Sequence, residues 1–184
     1  MDKGIALICG AKIPNELIFK PIVHIAGSGS PVYVIDGDNS FRSYLIARYA
    51  RHMHFDPRLA LAQVQVSRAF TCYQFAAIVE RLNHRADTIH CAGIICLGLL
   101  GTFYDEDVAW PEAQRLLLEV LTHLKSLSER WLVVVTVRPP PSKVRNRLGL
   151  MQTLIQQADV IRILPADPGY GRLAQLPLRR ISRK

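Results

Sequence analysis

Gly10 stands where the first glycine of a phosphate-binding loop would stand, because it follows a short apolar run and precedes a helical pattern. Such a loop needs backbone N–H groups that converge on the phosphates, a lysine at the β and γ oxygens and a hydroxyl on Mg²⁺. The stretch GAKIPNEL ends instead in Asn15, Glu16 and Leu17. It is therefore either a nucleotide site that has lost its binding residues or an ordinary strand-to-helix turn that begins with glycine.

Other residue types that do chemistry form few groupings in this sequence. His52 and His54 are two residues apart in a predicted helix and point to different faces, which argues against a metal-binding pair. The four cysteines form no CxxC pair and lie in apolar segments, so we expect buried thiols. No Ser-His-Asp or Cys-His grouping has an activating context. The sequence predicts neither a catalytic nucleophile nor a metal site.

The elements that would position these residues alternate between strands and helices. Several apolar runs of strand length are continuous, which is typical of strands covered on both faces. Helical patterns lie between them, with Asn39 or Ser40 as the cap of one, Thr71 as the cap of another, and Pro111 in the first turn of a third. We therefore predict an α/β fold with a mainly parallel sheet flanked by helices. The predicted strands are 5–9, 32–35, 64–66, 93–100, 131–137 and 160–164.

The C-terminal part of the predicted fold is less regular. The stretch 138–149 is rich in proline and then in basic residues, and it is predicted as a loop after a strand. After the last strand, a turn at residues 167–169 and a return strand predict a terminal β-hairpin. We expect one domain over residues 1–178 and a basic tail over residues 179–184.

Size and charge narrow the classes of protein and partner. No apolar run approaches the roughly 18 to 20 residues that cross a bilayer, and the first run is too short for a signal peptide. We expect a cytoplasmic protein without membrane contact, nucleoid-associated if it binds DNA, or a nuclear one if it is eukaryotic. The net charge of +8 lies wholly in residues 138–184. Such an excess indicates a polyanionic partner or a solvated basic surface.

Two motifs carry a resemblance to a known family. Residues 35–42 read IDGDNSFR, and residues 66–71 read VSRAFT about 25 residues later. In order, spacing and chemistry these resemble motifs of the RecA/RadA strand-exchange recombinases, closest to the archaeal and eukaryotic proteins and their paralogues. The likeness continues through GTFYDED, a long helix and WLVVVTVRPP. It implies a RecA-like core of the P-loop NTPase type.

The resemblance also implies which catalytic positions have changed. It aligns the family's phosphate loop with Gly10 and places Asn15, Glu16 and Leu17 at the last three loop positions. Pro14 in that loop has no N–H to donate. The chain therefore resembles a degenerate paralogue without the Walker A residues.

Three further positions of the family differ. The Mg²⁺-linked aspartate of Walker B falls on Gly98, the catalytic glutamate on Asp38, and the glutamine that senses the γ-phosphate on Arg138. Because these groups must cooperate in phosphoryl transfer, the resemblance implies a protein that does not hydrolyse ATP and needs no cofactor.

The family binds DNA through two loops, and this chain keeps basic residues in only one of them. The first loop corresponds to DEDVAWP, whose acidic residues oppose a phosphate backbone. The second corresponds to 138–149. Together with the tail it could track phosphates in a salt-dependent way. The candidate DNA-binding residues are Arg138, Lys143, Arg145, Arg147, Arg179, Arg180, Arg183 and Lys184.

These features together predict a non-catalytic RecA/RadA-like paralogue in DNA recombination or repair. It would bind single- or double-stranded DNA, a recombinase or paralogue partner, or both. An alternative is a protein-interaction module that docks on a partner or forms a homodimer without contacting nucleic acid. A third is an enzyme with an unrelated site at the carboxyl ends of the strands.

Overall fold

The computed structural model describes residues 4–165 of the chain, except the side chain of Arg145. Their six strands form one sheet in the order β3-β2-β4-β5-β1-β6, and every neighbouring pair is parallel. The strands are β1 Ile5–Cys9, β2 Val32–Asp36, β3 Val64–Arg68, β4 Gly93–Leu97, β5 Leu132–Val137 and β6 Val160–Ile163. The helices are α1 Asn15–Gly27, α2 Ser43–His52, α3 Pro57–Ala62, α4 Cys72–His84, α5 Trp110–Ser128 and α6 Leu148–Gln157.

Helices lie on both faces of the sheet. One buried apolar cluster joins α1, α2 and α3 to β2 and β4, with Phe19, Ile22 and Leu45 at its centre. The other joins α4, α5 and α6 to the opposite face, with Phe75 and Phe103 in edge-on contact. This confirms the α/β prediction and its mainly parallel sheet, and it is the architecture of Rossmann-type and P-loop-type domains.

Two of the three predicted helix starts are correct. The Thr71 hydroxyl accepts a hydrogen bond from the Gln74 amide and caps α4, and Pro111 lies in the first turn of α5. The predicted cap at Asn39 or Ser40 is wrong, because α2 begins only at Ser43. The segment before α2 is a loop whose amides bind the end of β2.

Two other boundaries differ from the predicted ones. β4 ends at Leu97 rather than at residue 100, because Gly98 adopts a left-handed conformation and leads into a 3₁₀ helix, Leu99–Tyr104. The stretch 138–149 is not wholly a loop: a second 3₁₀ helix, Ser142–Arg147, follows the prolines, and α6 begins at Leu148. The predicted hairpin turn and the basic tail lie outside the described residues.

The cysteines are free thiols, and three of the four are buried. Burial raises the pKa of Cys9 and of Cys96 to about 12. Within residues 4–165, no helix is both long and apolar enough to cross a membrane.

Candidate functional site

The carboxyl ends of β1, β2, β4 and β5 meet at one edge of the sheet. Open α/β sheets bind their ligands at this edge, where the connections after neighbouring strands leave toward opposite faces. The chain passes from β1 through α1 to one face, and it passes from β5 through α6 to the other. Gly10, Asp38, Gly98 and Arg138 each follow one of these strands. A nucleotide site in this fold would therefore lie at this edge.

The connection from β1 to α1 is tied down by the chain itself. The Gly10 amide donates to the Val137 carbonyl at 3.1 Å, and a Cβ on Gly10 would lie 3.0 Å from the Leu164 side chain. Pro14 precedes α1 and has no N–H, and its carbonyl accepts from the Leu17 amide at 3.0 Å. Among the described residues, no side chain caps this helix start.

Glu16 occupies the first turn of α1, where the resemblance would require a lysine. Its side chain is exposed, and Lys20 one turn later donates a hydrogen bond to it at 2.8 Å. That hydrogen bond and the charge of Lys20 lower the pKa of Glu16, so the carboxylate stays ionised at neutral pH. Negative charge in a first helical turn is favourable for the helix. It also opposes a phosphate at the same helix end.

The positions that the resemblance assigns to the other catalytic residues are in contact with one another. The Asp38 side chain lies directly over Gly98: a Cβ on Gly98 would be 2.2 Å from Asp38 Cγ. Arg138 Nη1 lies 3.4 Å from Asp38 Oδ2 and forms an ion pair with it. Gly98, which the resemblance aligns with the metal-linked aspartate, thus makes room for Asp38, and Arg138 supplies a positive charge beside that carboxylate.

Asp36, at the end of β2, holds the loop that carries Asp38. It is buried, and its carboxylate accepts hydrogen bonds from the amides of Ser40 at 2.9 Å and Phe41 at 3.1 Å. Arg68 Nε on the neighbouring strand lies 3.6 Å away. Because both oxygens serve backbone amides, Asp36 has a structural role, and it explains why the chain turns before α2.

Two residues that the sequence analysis did not single out complete the edge. The Gly98 amide donates to the buried Thr136 hydroxyl at 2.9 Å, and the Tyr104 hydroxyl donates to the Arg138 carbonyl at 2.9 Å. Burial raises the pKa of Tyr104 well above its usual range. The sequence offered a signal for Thr136, which is the one polar residue in the apolar strand β5. The role of Tyr104 depends on a contact across 34 residues.

The predicted DNA-binding role of Arg147 requires an exposed side chain, but Arg147 is buried. It is only 3% exposed, its guanidinium donates to the carbonyls of Asp105 and Val108, and it lies 5.8 Å from the centre of the Trp110 ring. Arg147 thus ties the acidic loop to the start of α6. In this arrangement it is a structural residue that is not accessible to a phosphate.

Two of the other candidate DNA-binding residues have side chains that the structure describes, and both reach solvent. Lys143 is exposed, while Arg138 is half-exposed and paired with Asp38. The Arg145 side chain, Arg179, Arg180, Arg183 and Lys184 lie outside the described residues. In the described part of the chain, no three His, Cys, Asp or Glu side chains converge to hold a metal ion.

Comparison with known proteins adds no relative. No protein-family model matches the chain, and no curated protein is significantly similar to it. The RecA/RadA resemblance therefore depends on the sequence motifs alone.

Proposed function

We propose that the protein is a non-catalytic RecA/RadA-like paralogue that binds DNA in recombination or repair without hydrolysing ATP. The observation that carries the proposal is the contact of Asp38 with Gly98 and Arg138 at the carboxyl edge of the sheet. It brings together three positions that the resemblance assigns to one catalytic centre, and none of the three has the residue that the chemistry needs.

The charges at this edge disfavour a magnesium nucleotide. A triphosphate needs cations at the helix start, and α1 offers the carboxylate of Glu16 there. A Mg²⁺ ion needs carboxylate or hydroxyl oxygens. Asp38 already has Arg138 beside it, and a larger residue at Gly98 would collide with Asp38. The scaffold is thus retained while its nucleotide chemistry is lost.

The net charge of +8 supports DNA as the partner. Basic proteins release counterions when they bind nucleic acid, so affinity falls steeply as salt rises. Because Asp38 lies over Gly98 and pairs with Arg138 at the carboxyl edge of the sheet, we expect this binding to require no ATP.

Two measurements test the proposal on the full chain. Titration calorimetry with ATP and Mg²⁺ is expected to give no heat of binding. Fluorescence anisotropy with labelled single- and double-stranded DNA is expected to show binding that weakens as salt increases. The variant Arg179→Ser/Arg180→Ser/Arg183→Ser/Lys184→Ser measures how much the basic tail contributes to DNA affinity. ATP binding, or the absence of DNA binding at low salt, would refute the proposal.

A second candidate function is protein interaction through the free edge of β3. This strand pairs only with β2 among the described strands, and its outward residue Val66 is 40% exposed. Phe70, just beyond it, is 71% exposed. An edge strand with exposed apolar side chains offers backbone groups to a further strand and side chains to a pocket.

Light scattering after size exclusion, with and without a recombinase partner, tests this second candidate. Val66→Lys should prevent the association, because it places a charge on the edge strand. Leu118→Lys is the matched control, since Leu118 is 45% exposed on α5, a helix that packs against β5 and β1. Equal effects of both variants, or a monomer that captures no partner, would contradict it.

A further inference from the structure

Helix α2 has a solvent face that carries positive charge and no negative charge. Residues 39–55 contain three arginines and two histidines but no aspartate or glutamate. The opposite face of α2 is buried in the core through Leu45, Ile46, Tyr49 and Ala50. Four exposed residues of α2 and the exposed arginine just before it form what we call the α2 basic face: Arg42, Tyr44, Arg48, Arg51 and His52.

The spacing of these residues aligns them along one side of the helix. Arg48, Arg51 and His52 follow Tyr44 by four, seven and eight residues, which places all four on one stripe of the helix. With a rise of 1.5 Å per residue, the stripe is about 12 Å long. It can therefore contact several consecutive phosphates of one nucleic-acid strand.

A groove lies on each side of the α2 basic face. The first, of about 500 Å³, runs between α1 and α2, and its only carboxylate is Glu16, which is paired with Lys20. The second, of about 480 Å³, runs between the start of α2 and β3. The first is lined by Glu16, Lys20, Arg48, Tyr49, Arg51 and His52. The second is lined by Phe41, Arg42, Ser43, Tyr44, Val66 and Arg68.

Part of this face is held in place by contacts within the chain. Arg42 Nη1 donates to the carbonyls of Asn39 and Phe41 at 2.8 and 2.9 Å. The Arg48 guanidinium lies 5.1 Å from the centre of the Tyr49 ring. Side chains that are already positioned lose less conformational entropy when a phosphate binds.

We propose that the α2 basic face binds the sugar–phosphate backbone of single-stranded DNA and that Tyr44 stacks on a base. Tyr44 is 63% exposed, and an aromatic ring beside a cationic groove is the usual means of holding unpaired bases. This site deepens the proposed function, on which it rests, and it places the DNA on a different part of the chain from residues 138–149 and the tail.

Single-stranded DNA fits this surface better than an anionic membrane does. A helix that binds a membrane inserts its apolar face into the lipid. The apolar face of α2 is buried against α1 and the sheet, so the helix has only charge and one exposed ring to offer. The surface therefore suits a polyanion that also presents flat bases.

The salt dependence follows from the number of cations. Three arginines that contact three phosphates of a single strand give a slope of log K against log salt of about −2. A rise from 50 to 200 mM salt should then weaken this part of the binding about 20-fold.

The variant Arg48→Ala/Arg51→Ala tests the site in the full chain, with a labelled oligo-dT as the probe in fluorescence anisotropy. We expect at least about tenfold weaker binding at 50 mM salt and a slope that is shallower by about 1.4. The matched control is Arg81→Ala/Arg85→Ala, which removes the same charge from exposed positions at the end of α4 on the other face of the sheet. The control should bind as the wild type does.

The aromatic part of the site has its own pair of variants. Tyr44→Ala should weaken oligo-dT binding about 5- to 150-fold, which corresponds to the loss of one stacked base. Tyr73→Ala removes a ring of similar exposure from α4 and should have little effect. Circular dichroism and thermal unfolding identify any variant that has lost its fold, in which case Arg48→Gln/Arg51→Gln replaces it.

The outcomes separate this inference from the proposed function. If the wild type binds DNA and the folded Arg48/Arg51 variant binds equally well, the α2 site is refuted while DNA binding stands. Loss of binding only when the basic tail is neutralised also refutes the α2 site and leaves DNA binding intact. If the wild type binds no DNA at low salt, both proposals fail.

Discussion

Replacing Gly98 by alanine tests whether Asp38 fills the position that a metal-linked carboxylate would occupy. Gly98 has a φ of +57°, where a residue with a Cβ is strained by about 1 to 2 kcal/mol. The new Cβ would lie 2.2 Å from Asp38 Cγ and 2.4 Å from Asp38 Cβ. Overpacking of this kind costs a further 1 to 3 kcal/mol or so. We therefore expect Gly98→Ala to lower the free energy of unfolding by about 2 to 5 kcal/mol.

The chain offers a matched control for the backbone part of this cost. Gly29 has a φ of +86°, and a Cβ there would meet no atom within 4 Å. Gly29→Ala therefore incurs only the strain of the left-handed conformation, about 1 to 2 kcal/mol. Urea unfolding followed by circular dichroism measures both variants, and the difference between them reports the contact with Asp38.

A double variant assigns that difference to Asp38. Asp38→Gly removes both side-chain carbons that the new Cβ would meet, so Gly98→Ala should cost about 1 to 3 kcal/mol less in that background than in the wild type. If Gly98→Ala costs no more than Gly29→Ala, or costs the same with and without the Asp38 side chain, Asp38 does not lie over Gly98. The account of the filled nucleotide site would then be wrong.

Three further predictions concern single groups. Thr136→Val should cost about 1 to 3 kcal/mol in urea unfolding, because the buried Gly98 amide loses its acceptor. Burial alone would raise the pKa of Asp159, but hydrogen bonds, chiefly from Lys125, lower it overall. Its stabilising effect is therefore present at neutral pH and is lost as pH falls through that lowered pKa, so Asp159→Asn should destabilise the protein at pH 7 and converge with the wild type in acid. With a thiol reagent, Cys91 should react first, since the other cysteines are buried and react only after unfolding.

The α/β fold could be predicted because its strands are recognisable from local apolar runs. The residues that meet at the carboxyl edge of the sheet could be predicted because each one follows such a strand. Continuous apolar runs identify buried strands, and a parallel sheet brings whatever follows those strands to one edge. Asp38, Gly98 and Arg138 are 40 to 100 residues apart in sequence and still meet there. Their direct contact could not be predicted, because it depends on the left-handed turn at Gly98.

Other features could not be predicted because distant groups decide them. Arg147 lies in a basic, proline-rich stretch that is typical of an exposed loop, but the carbonyls of Asp105 and Val108, about 40 residues away in sequence, bury it. The start of α2 is delayed by the Asp36 carboxylate, which binds the amides of the preceding loop. The basic residues of α2 could not be recognised from the net charge of long segments. Residues 1–137 have a net charge of zero, although residues 39–55 within them contain no aspartate or glutamate.

The ion pairs of the molecule support the proposed separation of DNA binding from nucleotide binding. Glu16 is paired with Lys20, and Asp38 with Arg138, so these charges at the sheet edge are balanced within the chain. A magnesium nucleotide would have to displace such pairs before it could bind. The α2 basic face presents Arg48 and Arg51 on a helix without a carboxylate of its own. Because the other side of that helix is buried in the core, these charges are exposed without any nucleotide to organise them, and the proposed DNA binding there would need none.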